Sequence, residues 1–65
     1  MNYSLAFGGG KMNIVVVNLS TFTSTEYENA KSISFDYTEQ RYVITKNDNT
    51  VVRYNANAVI IGFRP

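Results

Sequence analysis

Five carboxylates, Glu26, Glu28, Asp36, Glu39 and Asp48, are the side chains best equipped for acid–base chemistry in this chain, and no histidine or cysteine accompanies them. A pair of carboxyl groups can act as general acid and general base. To do so it needs a concave, water-excluding site that drives the two pKa values apart, and 65 residues offer little such volume. Without histidine and cysteine there is no Ser-His-Asp or Cys-His nucleophile, no His-ligated metal-activated water and no thiol redox chemistry. Zinc and disulfide scaffolds are excluded with them. Gly10-Lys11 does not open a phosphate-binding loop, because that loop requires glycine where Leu5 stands and serine or threonine where Met12 stands. The expectation is a non-catalytic protein with no catalytic, metal or cofactor site; an enzymatic reading has no named residues to rest on.

A second chemistry is recognition of single-stranded nucleic acid. Lys31, Arg41, Lys46, Arg53 and Arg64 could contact phosphates, and Tyr42, with Tyr37 and Tyr54, could stack on bases. The net charge of +1 makes no strong polyanion field, and the sequence pattern turns these tyrosines toward a core. Nucleic acid is therefore the alternative partner, behind protein.

The elements that must position these residues are strands. Four runs alternate apolar and polar residues: 32–37, 41–46, 51–54 and 58–63. The connections Thr38-Glu39-Gln40 and Asn47-Asp48-Asn49 favour turns that bond their own backbone, and Asn55-Ala56-Asn57 reads as a tight single-turn link. Connections this short make neighbours in sequence neighbours in space. Period two places Ile33, Phe35, Tyr37, Tyr42, Ile44, Val52, Tyr54, Val59, Ile61 and Phe63 on one face, the core.

Ile14 to Val17 is apolar on both sides, which predicts a strand that is central or covered on both faces. Asn18-Leu19-Ser20 reads as a turn, followed by a strand over 21–27 anchored by Phe22 and Tyr27, with a bend at 28–30. Thr25 and Glu28 also fit a helix capping box, so a short helical turn is the alternative there. The fold class is an all-β antiparallel meander of five to six strands with at most one short helical turn, either open or closed as an SH3-like barrel.

Residues 1–11 form an N-terminal arm or first strand, with Tyr3, Leu5 and Phe7 at period two before Gly8-Gly9-Gly10. The glycines are read either as a hairpin turn onto the next strand or as a tether that lets the arm add to a neighbouring chain. Met12 offers a second start, which would make residues 1–11 an upstream extension. Residues 12–65 form a single small β domain.

A core this small barely offsets chain entropy. With metals and disulfides excluded, association or tight closure must supplement it. Strand edges are poorly guarded, since the only proline is Pro65. The expected interface residues are Tyr3, Leu5 and Phe7 on the arm, and Val15, Val17, Val43, Val51 and Ile60 as apolar positions off the core face. The functional expectation is a homo-oligomer or a module that binds a host protein.

No apolar run reaches the length of a membrane span and the first ten residues lack a secretion signal, so a cytoplasmic location is expected. The sequons at Asn2 and Asn18 are read as ordinary loop polarity. Abundant Asn, Tyr, Ile and Lys, all with AT-rich codons, fit a low-GC genome such as a Gram-positive bacterium, its phages or other mobile elements.

Overall fold

The computed structural model describes residues 2–7 and 12–65, with side chains from Ser4 onward in that set. Seven antiparallel strands are present among them: β1 (Asn2–Ala6), β2 (Met12–Asn18), β3 (Ser24–Ala30), β4 (Ser32–Asp36), β5 (Arg41–Thr45), β6 (Val51–Asn55) and β7 (Val59–Arg64). They form a four-stranded sheet, β1-β4-β5-β6, and a three-stranded sheet, β3-β2-β7. The count exceeds the sequence expectation of five to six because the arm is itself a strand.

The alternation in residues 32–63 turns Ile33, Ile44 and Val59 inward as expected, but Tyr37 and Phe63, assigned to the same face, stay 45% and 47% exposed near the strand ends. Ile33 faces Ile44, and Ile44 faces Val52. Ile14, Val16, Ala30 and Val59 of the three-stranded sheet meet Ile33 and Ile44 of the four-stranded one in a single core, ringed by half-buried Phe7, Tyr27, Tyr42, Val52, Tyr54, Ala58 and Ile61. Two sheets whose inner faces interdigitate in this way form a small sandwich. Among the described residues no ladder joins β1 to β7 or β3 to β6, so the two sheets are not hydrogen-bonded into a closed barrel. No helix long and apolar enough to cross a membrane occurs among them.

Three readings are corrected. The arm does not pair with β2: β1 lies antiparallel to β4, Leu5 opposite Ile33, and the Phe7 amide donates to the Lys31 carbonyl at 3.0 Å. The glycine turn itself lies outside the described residues. β2 is central, as predicted, and Val15 and Val17 on its outer face remain partly exposed. The capping-box helix is absent, because Thr25 and Glu26 pair with Val16 and Val15 as strand.

The last correction concerns where β3 starts. Asn18 Oδ1 accepts from the amides of Ser20 and Thr21 at 2.9 and 3.2 Å, which lengthens the turn and delays the strand to Ser24. Phe22 is left in that turn with φ 56° and 82% of its surface exposed. It is no core anchor.

The predicted bend at 28–30 is a β-bulge. The register shifts between Met12 and Ile14, so that Glu28 and Asn29 oppose Asn13, and Asn29 takes φ 55°. The extra residue restores inward parity: Tyr27 faces in, and Ala30, three residues on, is buried. Asn13 Oδ1 accepts the Asn29 amide at 3.0 Å, satisfying a donor the bulge removes from the ladder.

Candidate interaction surface

The carboxylates lie at the surface, since no polar or charged residue is buried among those described. Asp36 accepts the amides of Thr38 and Glu39 at 2.9 and 3.2 Å, closing the β4–β5 turn. Asp48 accepts the Thr50 hydroxyl at 2.5 Å and its amide at 3.0 Å, and these bonds hold its carboxyl below the usual range. Glu26 accepts from Asn13 Nδ2 at 2.9 Å and from Arg64 at 3.1 Å. Glu26, Glu28 and Asp48 line an open hollow together with Lys46, yet no group of three potential ligands suited to a metal ion exists among the described residues.

The nucleic-acid candidates are dispersed. Lys31 Nζ donates to Asn49 Oδ1 at 2.5 Å at the corner between the sheets. Lys46 lies 5.9 Å from the Tyr27 ring centroid, and Arg64 is paired with Glu26 on the outer face of the three-stranded sheet. Arg41 and Arg53 sit on the outer face of the four-stranded sheet, Arg41 opposite Asp36 and Arg53 opposite Val43. Tyr42 packs inward against the core and Phe35, and Tyr54 packs inward against Tyr27. Tyr42 and Tyr54 therefore do not share the outer face that carries Arg41 and Arg53, while Tyr37 is exposed just beyond the end of β4.

The apolar candidates are brought together in part. In β2 the buried residues are Ile14 and Val16, so Val15 and Val17 point outward. Val17 lies opposite Ile60, and Val15 opposite Gly62. Ile60 is 57% exposed. Val15, Val17 and Ile60 thus form one patch on the outer face of β3-β2-β7, bordered by the Glu26–Arg64 pair. Val43 and Val51 lie on the outer face of the other sheet among Ser34, Arg53 and Thr45. The thickness of the sandwich separates the two groups, so the eight expected residues do not make one contiguous patch.

Leu5 and Phe7 serve a different place. Phe7 packs edge-on against Phe63 at 6.2 Å, bridging β1 and β7. Beside that contact, between β1, β4 and β7, an open cleft of about 340 Å³ is lined by Leu5, Ile33, Phe35, Tyr42, Ile61 and Phe63, with Ser4 and Ser34 at its side. The side chain of Tyr3 lies outside the described set; its backbone pairs with Phe35.

Sequence reasoning missed Phe22 as a surface residue. The available signal was Asn18 followed by Ser20 and Thr21, whose capture by Asn18 displaces the strand start beyond Phe22. Comparison with known proteins adds nothing to this geometry: no family model, no curated protein and no solved structure matches the chain.

Proposed function

We propose that this chain is a non-catalytic interaction protein that works as a homo-oligomer. The observation that carries the reading is the convergence of Val15, Val17 and Ile60 on the uncovered outer face of the three-stranded sheet, next to the free edge of strand β7. Each aliphatic side chain removed from water contributes about 1.5–3 kcal/mol, and a domain of this size has only roughly 3–10 kcal/mol of its own. The surface-bound carboxylates and the scattered cations support the same reading over catalysis or nucleic-acid binding. Its setting is the cytoplasm, and the AT-rich residue bias fits a phage or mobile-element gene.

Light scattering on a size-exclusion column, run across micromolar concentrations, tests this directly. The full chain is expected to elute as an oligomer, and Val15→Lys or Ile60→Lys to lower its mass while the β signature in circular dichroism persists. A parent chain that is monomeric at every concentration overturns the proposal.

A further inference from the structure

A cyclic pair of identical chains needs a surface complementary to itself, and the backbone parity of the edge strands singles one out. In an antiparallel ladder, alternate residues turn their N–H and C=O groups toward one neighbour or the other. The Leu19 amide donates to the Ala58 carbonyl at 2.9 Å, in the same register that pairs Val17 with Ile60 and Val15 with Gly62. The Ala58 carbonyl and the backbone groups of Ile60, Gly62 and Arg64 therefore face β2, while the Ala58 amide donates to the Asn55 carbonyl. Val59, Ile61 and Phe63 direct theirs to the free edge of the sheet.

We infer that two copies pair β7 with β7, antiparallel about Ile61, fusing their three-stranded sheets into one of six strands; the pairing rests on the self-association proposed above. A twofold axis through Ile61 sets Ile61 opposite itself and Val59 opposite Phe63 of the partner subunit. Every free backbone group from Val59 to Phe63 then meets a free group of the opposite kind. On the outer face, Ile60 falls opposite Gly62 of the partner subunit, where a Cβ would meet nothing within 4 Å. The exposed isoleucine has room there, and two Val15-Val17-Ile60 patches become continuous. Arg64 falls opposite Ala58 of the partner subunit, so no like charges face each other.

The other edges fail the same symmetry. On β3, the Asn18 amide donates to the Thr23 carbonyl at 2.8 Å, which leaves Ser24 and Glu26 facing outward, and a twofold at Glu26 opposes two carboxylates. On β6, the Lys46 amide donates to the Thr50 carbonyl at 2.8 Å, so Val51, Arg53 and Asn55 face outward, and the central register opposes Arg53 with itself. Like charges directly opposite are destabilising. On β1, Asn2, Ser4 and Ala6 face outward, and Leu5 is its one large apolar side chain among the described ones. β7 combines free backbone groups with four large apolar side chains, Val59, Ile60, Ile61 and Phe63, and no internal charge, bulge or proline, the devices that guard edges.

The chain has no cysteine, so single cysteines report register. Ile60→Cys and Gly62→Cys chains are prepared separately, checked for the parent's circular dichroism, and oxidised alone and mixed. In a non-hydrogen-bonded pair the facing Cα atoms are about 4.5 Å apart, within disulfide reach. The expected result is a covalent dimer containing one chain of each kind in the mixture and none from either chain alone. In parallel, Gly62→Glu placed in the Ile60→Lys chain is expected to restore association, and Gly62→Lys in that chain to weaken it roughly tenfold further. If the parent is oligomeric by light scattering but neither the mixed cross-link nor the charge rescue appears, the β7 pairing is wrong and self-association stands. If the parent is monomeric, both fail.

Discussion

Tyr27 on β3 and Tyr54 on β6 join their hydroxyls across the gap between the two sheets, with ring centroids 6.4 Å apart. No ladder connects β3 to β6, so this bond and the surrounding ring contacts close that side of the sandwich. Burial, reinforced by the bond to Tyr54, pushes the Tyr27 hydroxyl up to about 12 from an ordinary 10.0. The folded chain therefore holds a proton that the unfolded chain releases, and that contribution, complete below pH 10, is lost as pH rises through about 12. Denaturant midpoints measured from pH 8 to 12 should fall more steeply for the parent chain than for Tyr27→Phe. Parallel curves would show that the bond does not discriminate between the two protonation states.

Ile14 and Ile44 are fully buried and stand on opposite sheets. Ile44→Ala should lower unfolding free energy by about 2–5 kcal/mol, and Ile44→Val by about 0.5–1.5 kcal/mol. Against the small reserve of this domain, the alanine variant is expected to be largely unfolded at 37 °C by circular dichroism.

Phe22 holds a left-handed backbone conformation that disfavours bulky side chains, and its ring makes no core contact in return. Phe22→Asn keeps the turn and suits its φ, so the melting temperature should rise by the equivalent of about 1 kcal/mol. A lower melting temperature would mean that the ring stabilises the turn despite its exposure.

Asn13 serves the bulge with both ends of its amide, accepting from the Asn29 backbone and donating to Glu26. Asn13→Ala strands a part-buried N–H and should destabilise by about 1–3 kcal/mol. Asn13→Asp keeps the acceptor for Asn29 but sets its carboxylate against Glu26, so it should destabilise as well, without exposing the Asn29 amide. Hydrogen exchange at the Asn29 amide checks the cause, because only the alanine variant should exchange faster there relative to its neighbours.

The Glu26–Arg64 pair is a surface contact 3.1 Å long, with the arginine side chain 68% exposed. Arg64→Ala should change stability by less than about 1 kcal/mol, with the difference shrinking in high salt. A larger effect would mark Arg64 as packing on the Val15-Val17-Ile60 patch through its aliphatic stem.

Local pattern decided much of this molecule before any packing. Strict period two from Ser32 to Phe63 assigns Ile33, Ile44 and Val59 to the core, because a one-residue slip would turn every one of them to water. Asx-type turns at Asp36 and Asn55 end β4 and β6, and one at Asp48 shapes the β5–β6 connection, where their side chains capture nearby amides. The lack of histidine and cysteine excluded whole classes of chemistry from composition alone.

Tertiary structure decided what period two cannot express. The bulge at Asn29 inserts a residue and resets parity, so Tyr27 and Ala30 both face inward although three positions apart. Which strand receives the arm depends on a free edge of β4 contributed by a segment more than twenty residues away, and alternation in Tyr3, Leu5 and Phe7 is equally suited to any partner. The outward-facing valines look alike in sequence; the division into two sheets sends Val15 and Val17 to one face of the sandwich with Ile60, and Val43 and Val51 to the other. Strand identity is a local property of side-chain spacing, while strand neighbours, and hence surfaces, follow from long-range hydrogen bonding that the spacing does not encode.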